Sequence, residues 1–168
     1  KIKKNVELGI IRNHYVGRTF IEPTQQIRSL GVKLKHNINK SLVKNKSLIL
    51  IDDSLVRGTT SVKIIKMLYE AGAKEVHLKI ASPPIRYPDY YGVDTPNQNE
   101  LLASKFDIEG MRRFINATTL QFLSIEGLYK SMGYEKRNSS YPQFTDHCFT
   151  GEYPVRPIDA NNKDFTND

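Results

Sequence analysis

The chain has a single cysteine, Cys148, among its 168 residues, and no tryptophan. One thiol excludes an intramolecular disulfide and any cage of several cysteines around zinc or an iron–sulfur cluster. By itself it reads as a small buried hydrophobe. Long apolar runs are also missing. No stretch approaches the roughly 20 apolar residues that cross a bilayer, and Lys1, Lys3 and Lys4 are not followed by the apolar core of a signal peptide. A soluble, cytoplasmic protein with no membrane partner is expected. Acidic residues are the minority: 25 Lys and Arg against 18 Asp and Glu leave a net charge of +7. That balance suits nucleic acid or another phosphate-bearing partner. The lysines are scattered among isoleucine and asparagine, however, which reads as a solvated surface, and no nucleic-acid partner is expected. Hydrophobic residues, at 39%, fall below the usual globular share, and the chain opens on Lys1 instead of Met. Both features suit a piece of something larger.

What is present is a pattern of alternating strands and helices. Residues 13–19 form a polar, aromatic loop around Gly17, residues 24–30 a short helix stopped by Gly31, and residues 32–37 a half-exposed strand of alternating character. Residues 48–51, Leu-Ile-Leu-Ile, are an unbroken apolar run that suits a central strand of a parallel sheet, buried throughout. Val62, Ile65, Leu68 and Tyr69 recur at helical spacing over residues 61–71, and Ala71-Gly72-Ala73 stops that helix. Residues 76–81 form the next strand, ended by Ser82-Pro83-Pro84, so that residues 48–81 read as one right-handed βαβ unit. A helix is expected over 107–115, a short strand over 120–123, and a helix over 124–132 capped by Ser124 and closed by Gly133. From 138 onward the sequence is polar and irregular, and its final eight residues read as disordered. His36, His77 and His147 read as surface or core histidines.

The chemistry concentrates after the apolar run. Asp52 and Asp53 stand at the carboxyl end of the strand, the edge where open α/β sheets bind ligands. Ser54, Arg57, Gly58, Thr59, Thr60 and Ser61 then lead into a helix N-terminus. Backbone N–H groups and the helix dipole converge there on a spot suited to phosphate. Gly58 permits close approach, and the three hydroxyls add donors. A phosphorylated sugar fits: its 5′-phosphate in the cradle, its 2′- and 3′-hydroxyls on the carboxylates, which also offer hard oxygen ligands to Mg²⁺. Paired aspartates after a strand occur in nucleotide hydrolases too, but those need a Gly-rich loop ending in Gly-Lys-Ser/Thr, which this sequence lacks. A purely structural loop is the remaining alternative.

The run Asp52-Asp53-Ser54-Leu55-Val56-Arg57-Gly58-Thr59-Thr60-Ser61 resembles the phosphoribosyl-pyrophosphate signature of type I phosphoribosyltransferases, in the form typical of the amidophosphoribosyltransferase family. Further blocks follow that family: Arg12-Asn13-His14-Tyr15-Val16-Gly17-Arg18-Thr19-Phe20-Ile21, Ser82-Pro83-Pro84-Ile85, Tyr91-Gly92-Val93-Asp94 and Cys148-Phe149-Thr150-Gly151-Glu152-Tyr153-Pro154. The resemblance covers residues 5–155 and implies an α/β fold, a partial type I phosphoribosyltransferase fold with a parallel sheet flanked by helices. Residues 156–168 are left as a tail. It implies that Asp52 and Asp53 bind the ribose hydroxyls and Mg²⁺, that Ser54 and Arg57 line the site, and that Gly58, Thr59, Thr60 and Ser61 hold the 5′-phosphate. Tyr15 and Arg18 fall in the loop that closes over the donor, Arg18 facing the departing pyrophosphate. The implied reaction is attack of ammonia, derived from glutamine, on the anomeric carbon, giving 5-phosphoribosylamine and pyrophosphate in purine synthesis.

Parts of the family pattern are missing. Nothing corresponds to the glutaminase domain with its Cys nucleophile or to the first strands of the transferase domain. Missing strands would leave residues 48–51 and their neighbours short of partners and expose apolar surface. Some members hold an iron–sulfur cluster, which one thiolate cannot do, so none is expected here. The resemblance further implies a homo-oligomer when complete and leaves two origins open: a remnant, or a piece that joins a separately encoded N-terminal piece. A phosphoribosyltransferase-like binding module is the competing reading.

Overall fold

A computed structural model describes residues 6–12, 36–93, 95 and 97–155. Strands β1 (Ile10–Arg12) and β2 (His36–Ile38) form an antiparallel ribbon, Ile10 opposite Ile38. A short helix α1 (Lys40–Val43) then leads to β3 (Ser47–Asp52), α2 (Thr59–Glu70) and β4 (Glu75–Ile80). A 3-10 turn (Gln98–Glu100), α3 (Leu102–Lys105) and α4 (Ile108–Ile115) precede β5 (Thr119–Phe122). Helices α5 (Ile125–Ser131) and α6 (His147–Thr150) complete the order. The helix expected over 24–30, most of the strand expected over 32–37 and the final eight residues lie outside the described residues.

Strands β3, β4 and β5 form one parallel sheet in that order, with Leu50, Leu78 and Leu120 in register across it. The pleat alternates along β4: Val76, Leu78 and Ile80 are buried, while Glu75, His77 and Lys79 turn to the other face. Ile65 and Leu68 of α2 and Met111 and Ile115 of α4 join the buried face in one core. Each such side chain contributes roughly 1.5–3 kcal/mol by leaving water. The opposite face is lined with polar groups: Ser47 Oγ donates to Glu75 Oε2 at 2.6 Å, and His77 Nδ1 lies 3.0 Å from Thr119 Oγ1.

Helix ends follow the local rules. The Asp107 carboxylate accepts the Gly110 N–H at 2.7 Å to start α4, and Ser124 Oγ accepts the Gly127 N–H at 3.0 Å to start α5. Asn116 closes α4 in the left-handed conformation.

One expectation is corrected. Residues 48–51 are not buried throughout, and β3 is not central among the described strands: it lies at the sheet's edge, and its residues alternate. Leu48 and Leu50 pack on the core, whereas Ile49 is 53% and Ile51 71% exposed. A continuous apolar run signals burial on both faces of a strand, but the described residues cover only one face of this one. The exposed isoleucines are the apolar surface anticipated for a sheet short of neighbours. The segment after 138 is also less irregular than its composition suggested, since α6 and a buried polar cluster lie within it.

Candidate functional site

Asp52 ends β3, and residues 53–58 carry the chain from that strand to α2. Leu55, almost fully buried, pins this loop to the core. The Val56 carbonyl accepts the Leu102 N–H at 2.8 Å, and Arg57 Nε meets Glu100 Oε2 at 2.8 Å. The 3-10 turn and α3 therefore brace the loop from one side.

Gly58 is the N-cap of α2, with φ +76° and ψ −9°, and no side chain caps the helix. A left-handed conformation favours glycine. A Cβ there would also lie 2.9 Å from Leu102 Cδ2 and 3.2 Å from Phe114 Cε1. Gly58 thus serves two needs, the tight turn and the close seat on α3 and α4. First-turn amides of a helix have no intrahelical carbonyl to bond, and the start of α2, which no side chain caps, has the chemistry to receive an anion with the dipole behind it. Thr59 and Thr60 are exposed at this end, while Ser61 is buried.

The carboxylates complete the geometry. Asp52 Oδ1 accepts the Asp53 N–H at 3.0 Å, and Asp53 Oδ1 accepts from Ser54 Oγ at 3.1 Å. Burial pushes the Asp52 carboxyl above its ordinary range. The Asp53 amide opposes this, the neighbouring Asp53 charge adds to it, and His36 weakly counters it. Two adjacent carboxylates with oxygen donors only, one of them disfavoured as an anion, fit a hard divalent cation.

Of the residues singled out from sequence, Asp52, Asp53, Ser54, Arg57, Gly58, Thr59, Thr60 and Ser61 occupy one continuous strand–loop–helix segment. Tyr15 and Arg18 lie outside the described residues. Sequence reasoning missed the brace made by Glu100, Leu102 and Phe114. Their only local signal is an ordinary helical stretch 40 to 60 residues downstream.

No family model matches the chain. It is 59% identical over 162 residues to an amidophosphoribosyltransferase of Rhizobium etli, a match covering 96% of this chain and 33% of that protein. It is 51% identical over 149 residues to the amidophosphoribosyltransferase of Bacillus subtilis, covering 89% and 31%. The solved glutamine phosphoribosylpyrophosphate amidotransferase of Bacillus subtilis, complexed with ADP and GMP, superposes with a TM-score of 0.75 at 51% identity, over 89% of this chain and 33% of that one. The chain matches the C-terminal, phosphoribosyltransferase part of the amidophosphoribosyltransferases. It spans about a third of the length of the curated relatives it matches. The open parallel sheet with helices packed on it is the partial α/β phosphoribosyltransferase fold that the amidophosphoribosyltransferase resemblance implied.

Among the described residues no helix is long and apolar enough to cross a membrane.

Proposed function

We propose that this chain binds phosphoribosyl pyrophosphate and Mg²⁺ at the carboxyl end of β3. Within a complete amidophosphoribosyltransferase it would serve transfer of glutamine-derived ammonia to C1 of the sugar, giving 5-phosphoribosylamine and pyrophosphate for purine biosynthesis in the cytoplasm. The observation that carries this reading is the side-chain-free, left-handed cap at Gly58, placed one short loop after two adjacent carboxylates. Thr59 and Thr60 supply hydroxyls and backbone N–H groups to the 5′-phosphate, and Ser61 contributes through its backbone. Asp52 and Asp53 accept from the ribose hydroxyls and would hold Mg²⁺. That ion, when bound, neutralises charge on the pyrophosphate. Tyr15 and Arg18 close over the donor and exclude water. Little covalent work falls to the protein, so positioning and charge neutralisation carry the rate.

The exposed Ile49 and Ile51 on the edge strand favour a chain that needs further structure to work. Partners of this reading are a separately encoded N-terminal glutaminase and transferase piece and further copies of the complete enzyme. No iron–sulfur cluster takes part. Titration calorimetry with phosphoribosyl pyrophosphate tests the reading: Mg²⁺-dependent binding is expected, lost in Asp52→Asn/Asp53→Asn. Binding unchanged in that double variant would refute the site. Ammonia-dependent pyrophosphate release by the chain alone is expected to be negligible, and robust turnover would overturn that part.

A further inference from the structure

A carboxylate stands beside the loop that leads into α2, where its charge works against any phosphate arriving there. Glu100 Oε2 accepts from Arg57 Nε at 2.8 Å, and Arg57 immediately precedes Gly58, the N-cap of α2. The pair lies in water, the Arg57 and Glu100 side chains being 45% and 52% exposed, and an ion pair so exposed adds little to stability. Neither folding nor attraction of an anion accounts for Glu100. Its geometry does.

The backbone beneath Glu100 is firmly held. The Glu100 N–H donates to the Asn97 carbonyl at 2.8 Å and the Leu101 N–H to the Gln98 carbonyl at 3.0 Å, closing the 3-10 turn. Ser104 Oγ donates to the carbonyls of Gln98 and Leu101 at 2.6 and 2.8 Å. Leu101 and Leu102 are buried, so the turn is anchored in apolar contact although its carboxylate is exposed. The Leu102 N–H, donating to the Val56 carbonyl at 2.8 Å, ties the same segment to the residue before Arg57. The loop is gripped twice in succession, through backbone at Val56 and through a side chain at Arg57. That second grip uses Nε, and among the described residues the guanidinium makes no other hydrogen bond or ion pair. A guanidinium carries five N–H donors in a fixed fork. With its plane restrained at Nε, both terminal amino groups remain for an acceptor, and they suit a phosphate met end-on by two parallel N–H···O bonds.

We propose that Glu100 is a positioning residue for the β3 site, holding the Arg57 guanidinium so that Nη1 and Nη2 bind the 5′-phosphate of phosphoribosyl pyrophosphate. This role rests on the phosphoribosyl pyrophosphate site proposed at β3 and adds to it a residue 43 positions along the chain from Arg57. A free arginine loses rotamer freedom when it closes on a phosphate, and one already held by Glu100 has lost that freedom beforehand. The opposing effect is repulsion between the carboxylate and the phosphate, which water and salt weaken. The two effects have opposite signs. Removing Glu100 weakens binding where positioning prevails and tightens it where repulsion prevails.

Titration calorimetry of phosphoribosyl pyrophosphate and Mg²⁺ on the full chain tests this, with the thermal midpoint followed alongside. Glu100→Ala is expected to weaken binding roughly three- to tenfold. Glu100→Gln, which keeps an acceptor for Nε, is expected to weaken it less, and in both variants the Mg²⁺ requirement and the thermal midpoint should stay close to those of the unaltered chain. Once Arg57→Ala has removed the guanidinium, adding Glu100→Ala is expected to cause no further loss, because Glu100 acts only through Arg57. Unchanged or tighter binding in Glu100→Ala overturns the proposal, and so does an equal further loss in the Arg57→Ala background. If Asp52→Asn/Asp53→Asn still loses binding in that event, the β3 site stands and only the role of Glu100 falls. An unaltered chain without Mg²⁺-dependent binding overturns both.

Discussion

Asp52 at the end of β3 and Asp146 before α6 are both carboxylates withdrawn from water, yet their surroundings differ. Asp52 has the amide of Asp53 as a donor and the Asp53 charge beside it, with only a weak opposing influence from His36, and burial pushes its carboxyl up. Burial acts on Asp146 in the same sense, but Arg137 Nε at 2.5 Å, the Tyr129 hydroxyl at 2.8 Å and Thr150 more than offset it, and its carboxyl is held below the ordinary range. Arg137 also reaches Glu152 at 2.6 Å, which makes it the hub of the C-terminal packing. Asp89 resembles Asp146. Burial opposes its charge, but the Val93 amide, His147 and the Tyr91 amide prevail, and its carboxyl is lowered. The C-terminal region satisfies its buried charge internally. At the β3 edge, among the described residues, no ion pair offsets the burial of Asp52.

The largest effect should come from breaking the satisfied side. Arg137→Ala leaves Asp146 buried and unpaired, and loss of one partner of such a pair costs about 3–5 kcal/mol. Urea denaturation of the chain would show it, and a cost under about 1 kcal/mol would place the pair among surface ion pairs. Gly58→Ala comes next. A left-handed backbone costs an alanine about 1–2 kcal/mol, and pushing Leu102 and Phe114 aside adds about 1–3 kcal/mol. The same denaturation, with loss of phosphoribosyl pyrophosphate binding, checks it.

The acid titration sharpens the comparison because the two regions have opposite signs. Asp146 is lowered in the folded state, so its stabilisation is present above the ordinary value of 3.8 and is lost as pH falls through the folded pKa. Asp52 is raised, so its contribution is present below 3.8 and is lost as pH rises through its higher folded pKa. Asp146→Asn should therefore remove stability at neutral pH, whereas Asp52→Asn should be neutral or stabilising there while abolishing Mg²⁺-dependent binding. Equal losses from both would erase the distinction. The smallest effect belongs to Glu100→Gln: its bridge to Arg57 is about half exposed on both sides, and such pairs contribute about 0.2–1 kcal/mol. Thermal denaturation should barely register it.

Several elements were legible before any coordinates. The helix starting after Asp107, the Ser124 cap and the β3–α2–β4 unit rest on neighbours a few residues apart, so spacing alone specifies them. The candidate phosphate site was legible for the same reason, since its strand end, carboxylates, glycine and helix start are contiguous. The burial of β3 was misread because an apolar run records what a strand can bury, not what lies across from it. The Asp89–His147 contact was invisible because the two residues are 58 positions apart and neither carries a local pattern.

Sequence alone determined the β3–α2–β4 unit and the loop that joins β3 to α2, since short-range rules of strand, cap and helix suffice where all parts are adjacent in the chain. Tertiary structure alone decided which charges are satisfied. That depends on which distant side chains share a low-dielectric space, and only packing brings Arg137 to Asp146, Glu100 to Arg57, and Asp89 to His147 and Cys148.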